Sequence, residues 1–204
     1  MSTSKIDVRI CVPVHTVADI TPACRESLYA LADAEYRWGI SAGIYISDNR
    51  NKGITDSNKI RQTTFPFEAI FFIDSDISFT VEQFERILSI DGDIVSGAYK
   101  YRKISVHEPT DFVAGMWNPQ DFRQSRLIPC DSTGCREVGW VGGGFLKVTA
   151  RALSRMQYPY FHHEVIRMGD EAWEMKEDLC FCRNAMRAGV PILLDCDCQV
   201  GHGL

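Results

Sequence analysis

The segment that decides the fold is Ala69-Ile70-Phe71-Phe72-Ile73-Asp74-Ser75-Asp76-Ile77-Ser78. Five apolar residues lead directly into two carboxylates that are one residue apart. Such an apolar run is typical of a strand buried on both faces of a parallel sheet. The carboxyl end of that strand lies at the sheet edge where open α/β folds bind ligands. Two carboxylates there suit a divalent cation that holds phosphates, although an acidic turn without any ligand has the same pattern.

On both sides of this segment the sequence alternates between strands and helices. Thr21-Pro22 combines a capping side chain with proline at the first helical position, and Thr80 with Gln83 has the form of a capping box. The patterns predict strands at 6–14, 44–46, before Asp74 and at 94–98, and helices at 21–39, 56–64 and 80–88. This order indicates a right-handed, Rossmann-like, mostly parallel sheet flanked by helices, which is an α/β fold.

The pattern changes after Lys100. Residues 100–137 show no helical period and contain three prolines and several aromatic residues, so we expect loops and short antiparallel strands over one side of the sheet edge. Two short helices are predicted at 149–156 and 178–188, the second stopped by Gly189 and Pro191, and a late strand at 192–194. No linker interrupts the sequence, so residues 1–204 are predicted to form a single domain with halves of about 1–100 and 101–204.

Composition and charge exclude several classes of protein. The net charge is −5, from 22 basic and 27 acidic residues, which gives no overall electrostatic case for binding nucleic acid or an anionic membrane. No apolar run approaches the length of a membrane span, and the polar N-terminus does not resemble a signal peptide. The expectation is a soluble, cytoplasmic protein.

The eight cysteines do not follow a zinc or disulfide pattern, because no Cys-x-x-Cys pair is present. Cys180 and Cys182 are two residues apart in a predicted helix and therefore point to different faces. Reduced, mostly buried thiols are expected.

Several motifs, in their order along the chain, resemble those of the GT-A glycosyltransferases that use nucleotide sugars. The similar stretches are Val12-Pro13-Val14-His15, Ile46-Ser47-Asp48-Asn49, Asp74-Ser75-Asp76, Trp140 to Leu146, Glu177 to Arg183, and Val200-Gly201-His202. Within that family the chain most resembles the compact glycosyltransferase modules of large DNA viruses of algae, which glycosylate capsid proteins. The resemblance implies a GT-A fold whose first half binds nucleotide and whose second half binds acceptor and metal. It also implies a location in the host cytoplasm if the protein is viral.

The resemblance implies a metal site at the Asp-x-Asp motif. Asp76 would be the main ligand, Asp74 the second, and His202 the ligand that completes the site. Imidazole together with carboxylate favours Mn²⁺, with Mg²⁺ possible. Its position alone would indicate a frayed histidine near the end of the sequence, whereas the preceding segment, Asp195 to Gly201, favours the ligand.

The same resemblance implies a UDP-sugar donor and a glycan or glycoprotein acceptor. Asp48 would contact the uracil or the ribose, although Asp-Asn is also a common turn pair. Arg61 and Arg102 are candidates to balance the charge of the diphosphate. The remaining implied nucleotide-binding residues are Pro13, His15, Thr16, Asn58, Asp74, Ser75 and Asp76.

For catalysis, the resemblance assigns Asp178 as the base that takes the proton of the acceptor hydroxyl, with Glu177 second. Acidic residues also occur at helix starts for structural reasons, and a retaining enzyme needs no such base. Trp140 and Trp117 are candidates to stack on sugars, with burial in the core as the alternative. The remaining candidates for the sugar and acceptor side are Gly142, Gly143 and Arg102.

Two other classes of function fit parts of the sequence. A strand that runs into Asp-x-Asp also resembles the haloacid-dehalogenase-type phosphatases, with Asp74 as nucleophile and Asp76 as general acid. In those enzymes the motif follows the first strand of the core, whereas here two strand–helix units precede it. The other alternative is a non-catalytic module that binds sugar nucleotides.

Overall fold

The fold is built on a seven-stranded, mostly parallel sheet. The computed structural model describes residues 7–55, 64–101, 110–118, 121, 124–168 and 170–203. The strand order is β2-β1-β3-β10-β5-β13-β8, in which β10 and β8 are antiparallel to their neighbours. The strands are β1 (Val8–Val14), β2 (Trp38–Ala42), β3 (Ala69–Ile73), β5 (Ile94–Ala98), β8 (Cys135–Val138), β10 (Phe145–Thr149) and β13 (Ile192–Gln199). The predicted fold class is confirmed.

Helices cover both faces of this sheet. They are α1 (Pro22–Asp33), α2 (Ile46–Ile54), α3 (Val81–Ser89), α4 (Ala150–Arg155) and α5 (Glu177–Arg187). As predicted, the Thr21 side chain caps α1, and Thr80 and Gln83 form a capping box at α3. The side chain of Thr149 also caps α4, which was not predicted.

Strand β3 lies at the centre of the core, and all five of its residues are buried. Its side chains alternate between two apolar clusters. Phe72 packs in the cluster with residues of α4 and α5, whereas Phe71 packs with residues of α1 and α3. The apolar run in the sequence therefore marks a strand buried on both faces, as predicted.

Two predicted boundaries in the first half are wrong. Helix α1 ends at Asp33 rather than Gly39, and the chain turns at Glu35, which has a φ of +66°. Trp38 belongs to strand β2, where it pairs with Ile10. The predicted strand at 44–46 is absent among the described residues, because Ile44 is 81% exposed and Ile46 begins helix α2. The predicted helix at 56–64 lies almost wholly outside the described residues.

Strand β10 was not predicted, and its central residue explains why. Lys147 is 4% exposed, and its Nζ donates hydrogen bonds to the carbonyl oxygens of Leu88 and Ile90. A buried lysine interrupts the apolar pattern by which a central strand is recognised in a sequence. The two carbonyl oxygens replace the water that its ammonium group loses.

Smaller elements surround the sheet. The predicted antiparallel region is present: β6 (Asp111–Met116) pairs with both β7 (Arg126–Pro129) and β9 (Trp140–Val141). Strands β11 (Glu164–Met168) and β12 (Glu171–Met175) form a hairpin that was not predicted. All eight cysteines are free and six of them are buried, as expected. Among the described residues, the helices are too short or too polar to cross a bilayer.

A two-stranded sheet brings the last described residues to the Asp-x-Asp segment. Strand β14 (Gly201–His202) is antiparallel to β4 (Ile77–Ser78), with His202 opposite Ile77. The N–H of Gly203 donates to the carbonyl oxygen of Asp76 at 2.9 Å. Backbone pairing therefore fixes the position of His202 relative to Asp76.

The path that leads to β14 is held by an ion pair between α3 and β13. Arg86 donates from Nε and Nη2 to Asp195, at 2.5 and 3.1 Å, and Asp195 is fully buried. We expect Asp195→Ala to lower the free energy of unfolding by about 1.5–3 kcal/mol, because two charge-assisted hydrogen bonds are lost. Urea denaturation measures this change.

The matched control is Asp197→Ala, which removes the second carboxylate bound by Arg86. That contact is 3.4 Å long and the Asp197 side chain is 44% exposed, so a loss below about 1 kcal/mol is expected. Equal losses in the two variants would mean that the buried pair does not fix β13 to α3.

Candidate active site

The candidate active site is a cleft of about 560 Å³ beside the carboxyl ends of β1 and β3. This is the edge at which open α/β sheets bind ligands. The described residues that line it are Pro13, Val14, His15, Asp19, Thr21, Ile46, Arg50, Asp74, Ser75, Asp76, Glu177 and Gly203.

A buried arginine anchors the floor of the cleft. Arg50 is 3% exposed, and its Nη2 donates to Oδ1 of Asp74 at 2.6 Å. The guanidinium also lies 5.4 Å from the ring centroid of Phe161, within cation–π range. Burial alone would lower the pKa of Arg50, but the nearby carboxylates, Asp74 before Glu177 and Asp178, raise it. The arginine therefore stays cationic among three acids.

The segment Gly142 to Gly144 packs closely around this ion pair. A Cβ on Gly143 would clash with Nη1 of Arg50. The N–H of Gly144 donates to the Tyr99 hydroxyl, and its carbonyl oxygen accepts from the N–H of Asp74, both at 2.9 Å. In the described structure these glycines thus approach Arg50 and Tyr99. Their predicted approach to a donor sugar stays a prediction.

Asp76 lines the cleft and faces His202, which is not among the lining residues although the next residue, Gly203, is. Nε2 of His202 lies 3.3 Å from Oδ2 of Asp76, and Nδ1 lies 2.8 Å from the carbonyl oxygen of Lys100. A carbonyl oxygen only accepts, so Nδ1 carries a proton and Nε2 is the ring nitrogen that faces the carboxylate. Nε2 of His202 and Oδ2 of Asp76, at 3.3 Å, have the spacing of neighbouring ligand atoms around one divalent cation. With the ring neutral, this pair of ligand atoms fits a metal.

Asp74, the other carboxylate of the motif, is not part of a close cluster with Asp76 and His202. The ligand atoms of Asp74, Asp76 and His202 do not all lie within 4.8 Å of one another, and Oδ1 of Asp74 is bound by Arg50. The first carboxylate of the motif is therefore an ion-pair partner in this structure. Its role as a second metal ligand stays a prediction.

Asp178 has a raised pKa at the start of helix α5. The pKa of its carboxyl is raised to about 6: burial is the largest cause and the charge of Glu177 adds to it, whereas Arg50 and the N–H of Leu179 oppose the shift. The N–H of Leu179 donates to Oδ1 of Asp178 at 2.8 Å. A carboxyl group that changes charge near neutral pH beside a cleft is typical of a general acid or base.

The other predicted residues divide into three groups. Pro13, His15 and Ser75 line the cleft, whereas Thr16 is exposed beside it and is not among the lining residues. Asn58, Arg61 and Arg102 lie outside the described residues.

The placement of Asp48 and Trp140 requires correction. Asp48 does not follow a strand: it is exposed in the first turn of α2 and does not line the cleft. Trp140 is 6% exposed within the apolar core, so its faces pack on protein and are not open to a sugar. Trp117 is half-buried against the same core.

The sequence analysis missed Arg50 and Tyr99. Arg50 follows the predicted motif directly, but the segment was assigned to a strand and the turn after it. As helix α2, the segment buries Ser47, Asn49, Arg50 and Asn51. A short helix with a polar buried face is unusual and indicates a functional or structural polar site.

Comparisons with known proteins support the fold. The chain superimposes on a protein described as A197 from STIV with a TM-score of 0.55 and 12% identity, over 97% of this chain and 82% of that one. It also superimposes on GalNAc-T7, crystallised with UDP, GalNAc and Mn²⁺, with a TM-score of 0.55 and 12% identity, over 98% of this chain. The match spans 44% of that GalNAc-T7 chain. No protein-family model and no curated protein sequence matches the chain.

The raised pKa of Asp178 predicts a stabilising substitution. Because the pKa is higher in the folded state than the usual 3.8, the folded protein binds this proton more tightly than the unfolded chain. Ionised Asp178 therefore destabilises the fold above about pH 6, and this penalty disappears as the pH falls below about 4. We expect Asp178→Asn to raise the free energy of unfolding by about 1–3 kcal/mol at pH 8 and to have little effect at pH 4.

Thermal unfolding at the two pH values measures this effect. Asp48→Asn is the matched control, because Asp48 is also in the first turn of a helix but is exposed. A loss of stability in Asp178→Asn at pH 8 would contradict the assignment of a desolvated, destabilising carboxylate.

Proposed function

We propose that the protein is a metal-dependent glycosyltransferase that moves a sugar from a UDP-sugar to a glycan or glycoprotein acceptor. The observation that carries this proposal is the pair Asp76–His202, whose acceptor atoms face each other 3.3 Å apart beside a cleft of about 560 Å³. The likeness in fold to GalNAc-T7, which was crystallised with UDP, GalNAc and Mn²⁺, supports the same class of activity. Acceptor identity, viral source and cytoplasmic location stay predictions from sequence.

Asp76 and His202 would hold the divalent cation, Mn²⁺ by preference because one donor is imidazole. When bound, the cation neutralises the diphosphate leaving group as a Lewis acid. Arg50 contributes a second positive charge on the floor of the same cleft and keeps the carboxylate of Asp74 in place at 2.6 Å. The cation and Arg50 would together stabilise the negative charge of the leaving group.

Asp178 would act on the acceptor. In an inverting reaction the acceptor oxygen forms a bond to the anomeric carbon as the bond to UDP breaks, and the hydroxyl proton passes to the Asp178 carboxylate. The raised pKa, about 6, makes that carboxylate a stronger base than an exposed aspartate while leaving it ionised at neutral pH. Glu177, which lines the cleft, sustains this shift by its charge.

Metal binding provides the first test. We expect UDP with Mn²⁺ to raise the Tm of the protein, because a ligand selective for the folded state stabilises it. Asp76→Asn and His202→Gln should each weaken metal-dependent UDP binding by at least about 10–100-fold. Calorimetric titration and thermal shift measure both effects.

His162→Gln is the control for this test, because His162 lies outside the cleft. UDP-dependent stabilisation that persists in excess EDTA would contradict the assigned metal site. Release of phosphate from a simple phosphomonoester, without any nucleotide sugar, would favour the phosphatase alternative. Binding of UDP-sugars without their turnover on any acceptor would favour the non-catalytic module.

Catalysis provides the second test. We expect Asp178→Asn to lower kcat by about 10²–10⁴-fold while the affinity for UDP and Mn²⁺ is kept, because the variant cannot accept a proton. The wild-type kcat should rise with pH through about 6 as Asp178 ionises, and this limb should be absent in the variant.

Steady-state kinetics over pH 5–8, together with UDP titrations, measure this split between catalysis and binding. Glu177→Gln is the matched comparison and should lower kcat less, with its pH limb moved to lower pH because one neighbouring negative charge is removed. A near-normal kcat in Asp178→Asn would exclude Asp178 as the base and would favour a retaining mechanism.

A further inference from the structure

A second concave site lies on helix α5, away from the cleft. It is a pocket of about 370 Å³ between α5 and the segment that follows α4, and we refer to it as the arginine pocket. The residues that define it are Arg155, Gln157, His162, Arg183, Asn184 and Arg187. None of them lines the cleft, so the two sites are separate among the described residues.

The walls of the arginine pocket are fixed by four hydrogen bonds. Nη2 of Arg155 donates to the carbonyl oxygens of Ala188 and Gly189, both at 3.0 Å. Asn184 donates from Nδ2 to the carbonyl oxygen of Gln157 at 2.6 Å, and its Oδ1 accepts from the N–H of Gln157 at 3.2 Å. The pocket is therefore built into the packing of α4 against α5 and does not depend on a ligand to form.

The charge of this pocket is strongly one-sided. Arg183 and Arg187 are one helical turn apart on α5, a spacing at which like charges destabilise a helix. Arg155 adds a third guanidinium, and the charged side chains among the described lining residues are all basic. Glu164 pairs with Arg183 from the edge, and Arg187 has no carboxylate partner in the described part of the chain.

The positive charges in this pocket affect the pKa values of neighbouring basic groups. Burial lowers the pKa of Arg183, and the charge of Arg187 lowers it further. Burial also lowers the pKa of His162, and Arg183 and Arg187 add to that effect. Each positive charge here disfavours the protonated form of the neighbouring basic groups, and a bound anion would reduce this repulsion for all of them.

A metal cation is the competing ligand. One atom each of His162, Glu164 and Cys180 lie within 4.8 Å of one another, which is a spacing that a metal could use. However, the same oxygen of Glu164, Oε2, is in contact with Arg183, and the thiol of Cys180 donates to the carbonyl oxygen of Met175. The arginines therefore disfavour a cation at this position and favour an anion.

We propose that the arginine pocket is an anion site for a phosphate group, either free or carried by a sugar. Planar guanidinium groups match the oxygens of phosphate in pairs, and a volume of about 370 Å³ leaves room for a sugar ring beside the phosphate. The site does not require the proposed transferase activity, because it shares no lining residue with the cleft.

Calorimetric titration of the whole protein with inorganic phosphate, in chloride buffer of matched ionic strength, tests the proposal. We expect saturable binding with a Kd of about 1 mM or below, and Arg187→Gln should weaken it by at least about tenfold, since a charge-assisted hydrogen bond is lost. Arg136→Gln is the matched control: Arg136 is also exposed but lies on β8, and its loss should leave the Kd within about twofold.

Folding of the variant is checked in the same experiment. Arg187→Gln removes a like charge one turn from Arg183, so its Tm without phosphate should equal or exceed that of the wild type. Amide chemical shifts should change at 155–162 and 180–188 rather than at 74–76. Glucose 6-phosphate that binds more tightly than phosphate would identify a phosphorylated sugar as the ligand, and equal affinity would identify phosphate itself.

Three results would overturn the proposal: no saturable binding at about 10 mM phosphate, equal weakening in Arg187→Gln and Arg136→Gln, or shift changes confined to the cleft. Each of these outcomes leaves the proposed transferase untouched. Conversely, UDP-dependent stabilisation that persists in excess EDTA would count against the assigned metal site and would leave the arginine pocket unaffected.

Discussion

The ion pair between Arg50 and Asp74 is the interaction on which the site depends. A guanidinium that is 3% exposed is tolerated only because carboxylates surround it, and Asp74 accepts a hydrogen bond from it at 2.6 Å. Neighbouring residues pack closely around this ion pair. The Gly142–Gly144 segment lies against the guanidinium, and the N–H of Gly144 donates to the hydroxyl of Tyr99. Removal of either partner would leave an uncompensated charge at the end of the central strand.

Functional groups reach this ion pair from distant parts of the chain. The turn between β3 and β4 supplies the two aspartates, α2 the arginine, α5 the base candidate, and β14 the histidine. Parallel strands place their carboxyl ends at one edge, which brings β1 and β3 together. The antiparallel pairing of β14 with β4 then adds His202 with backbone precision, because its register relative to Asp76 is set by main-chain hydrogen bonds.

Local signals in the sequence were sufficient for some of these elements. The five apolar residues before Asp74 predicted β3, and the capping threonines at 21 and 80 predicted two helix starts, because those signals act within a few residues. Trp38 was wrongly assigned to a helix, because its strand is defined by pairing with β1, which is distant in sequence. The strand that contains Lys147 was missed, because the carbonyl oxygens that bind this buried lysine are also distant in sequence. Arg50 was missed for the same reason: its role is set by Asp74, Phe161 and Gly143, which are far along the chain.

The antiparallel strand β10, which lies between the parallel strands β3 and β5, also determines how the protein can fold. When residues 8–98 have been synthesised, β3 has a partner on one side only, and β5 has none, because β10 and β13 are still to come. The predicted division near residue 100 therefore does not separate two folding units. Long sequence separation between paired strands slows folding and leaves sheet edges open to other chains. The open edges of β3 and β5 are therefore all paired only when β10, which ends at Thr149, and β13, which ends at Gln199, are both available.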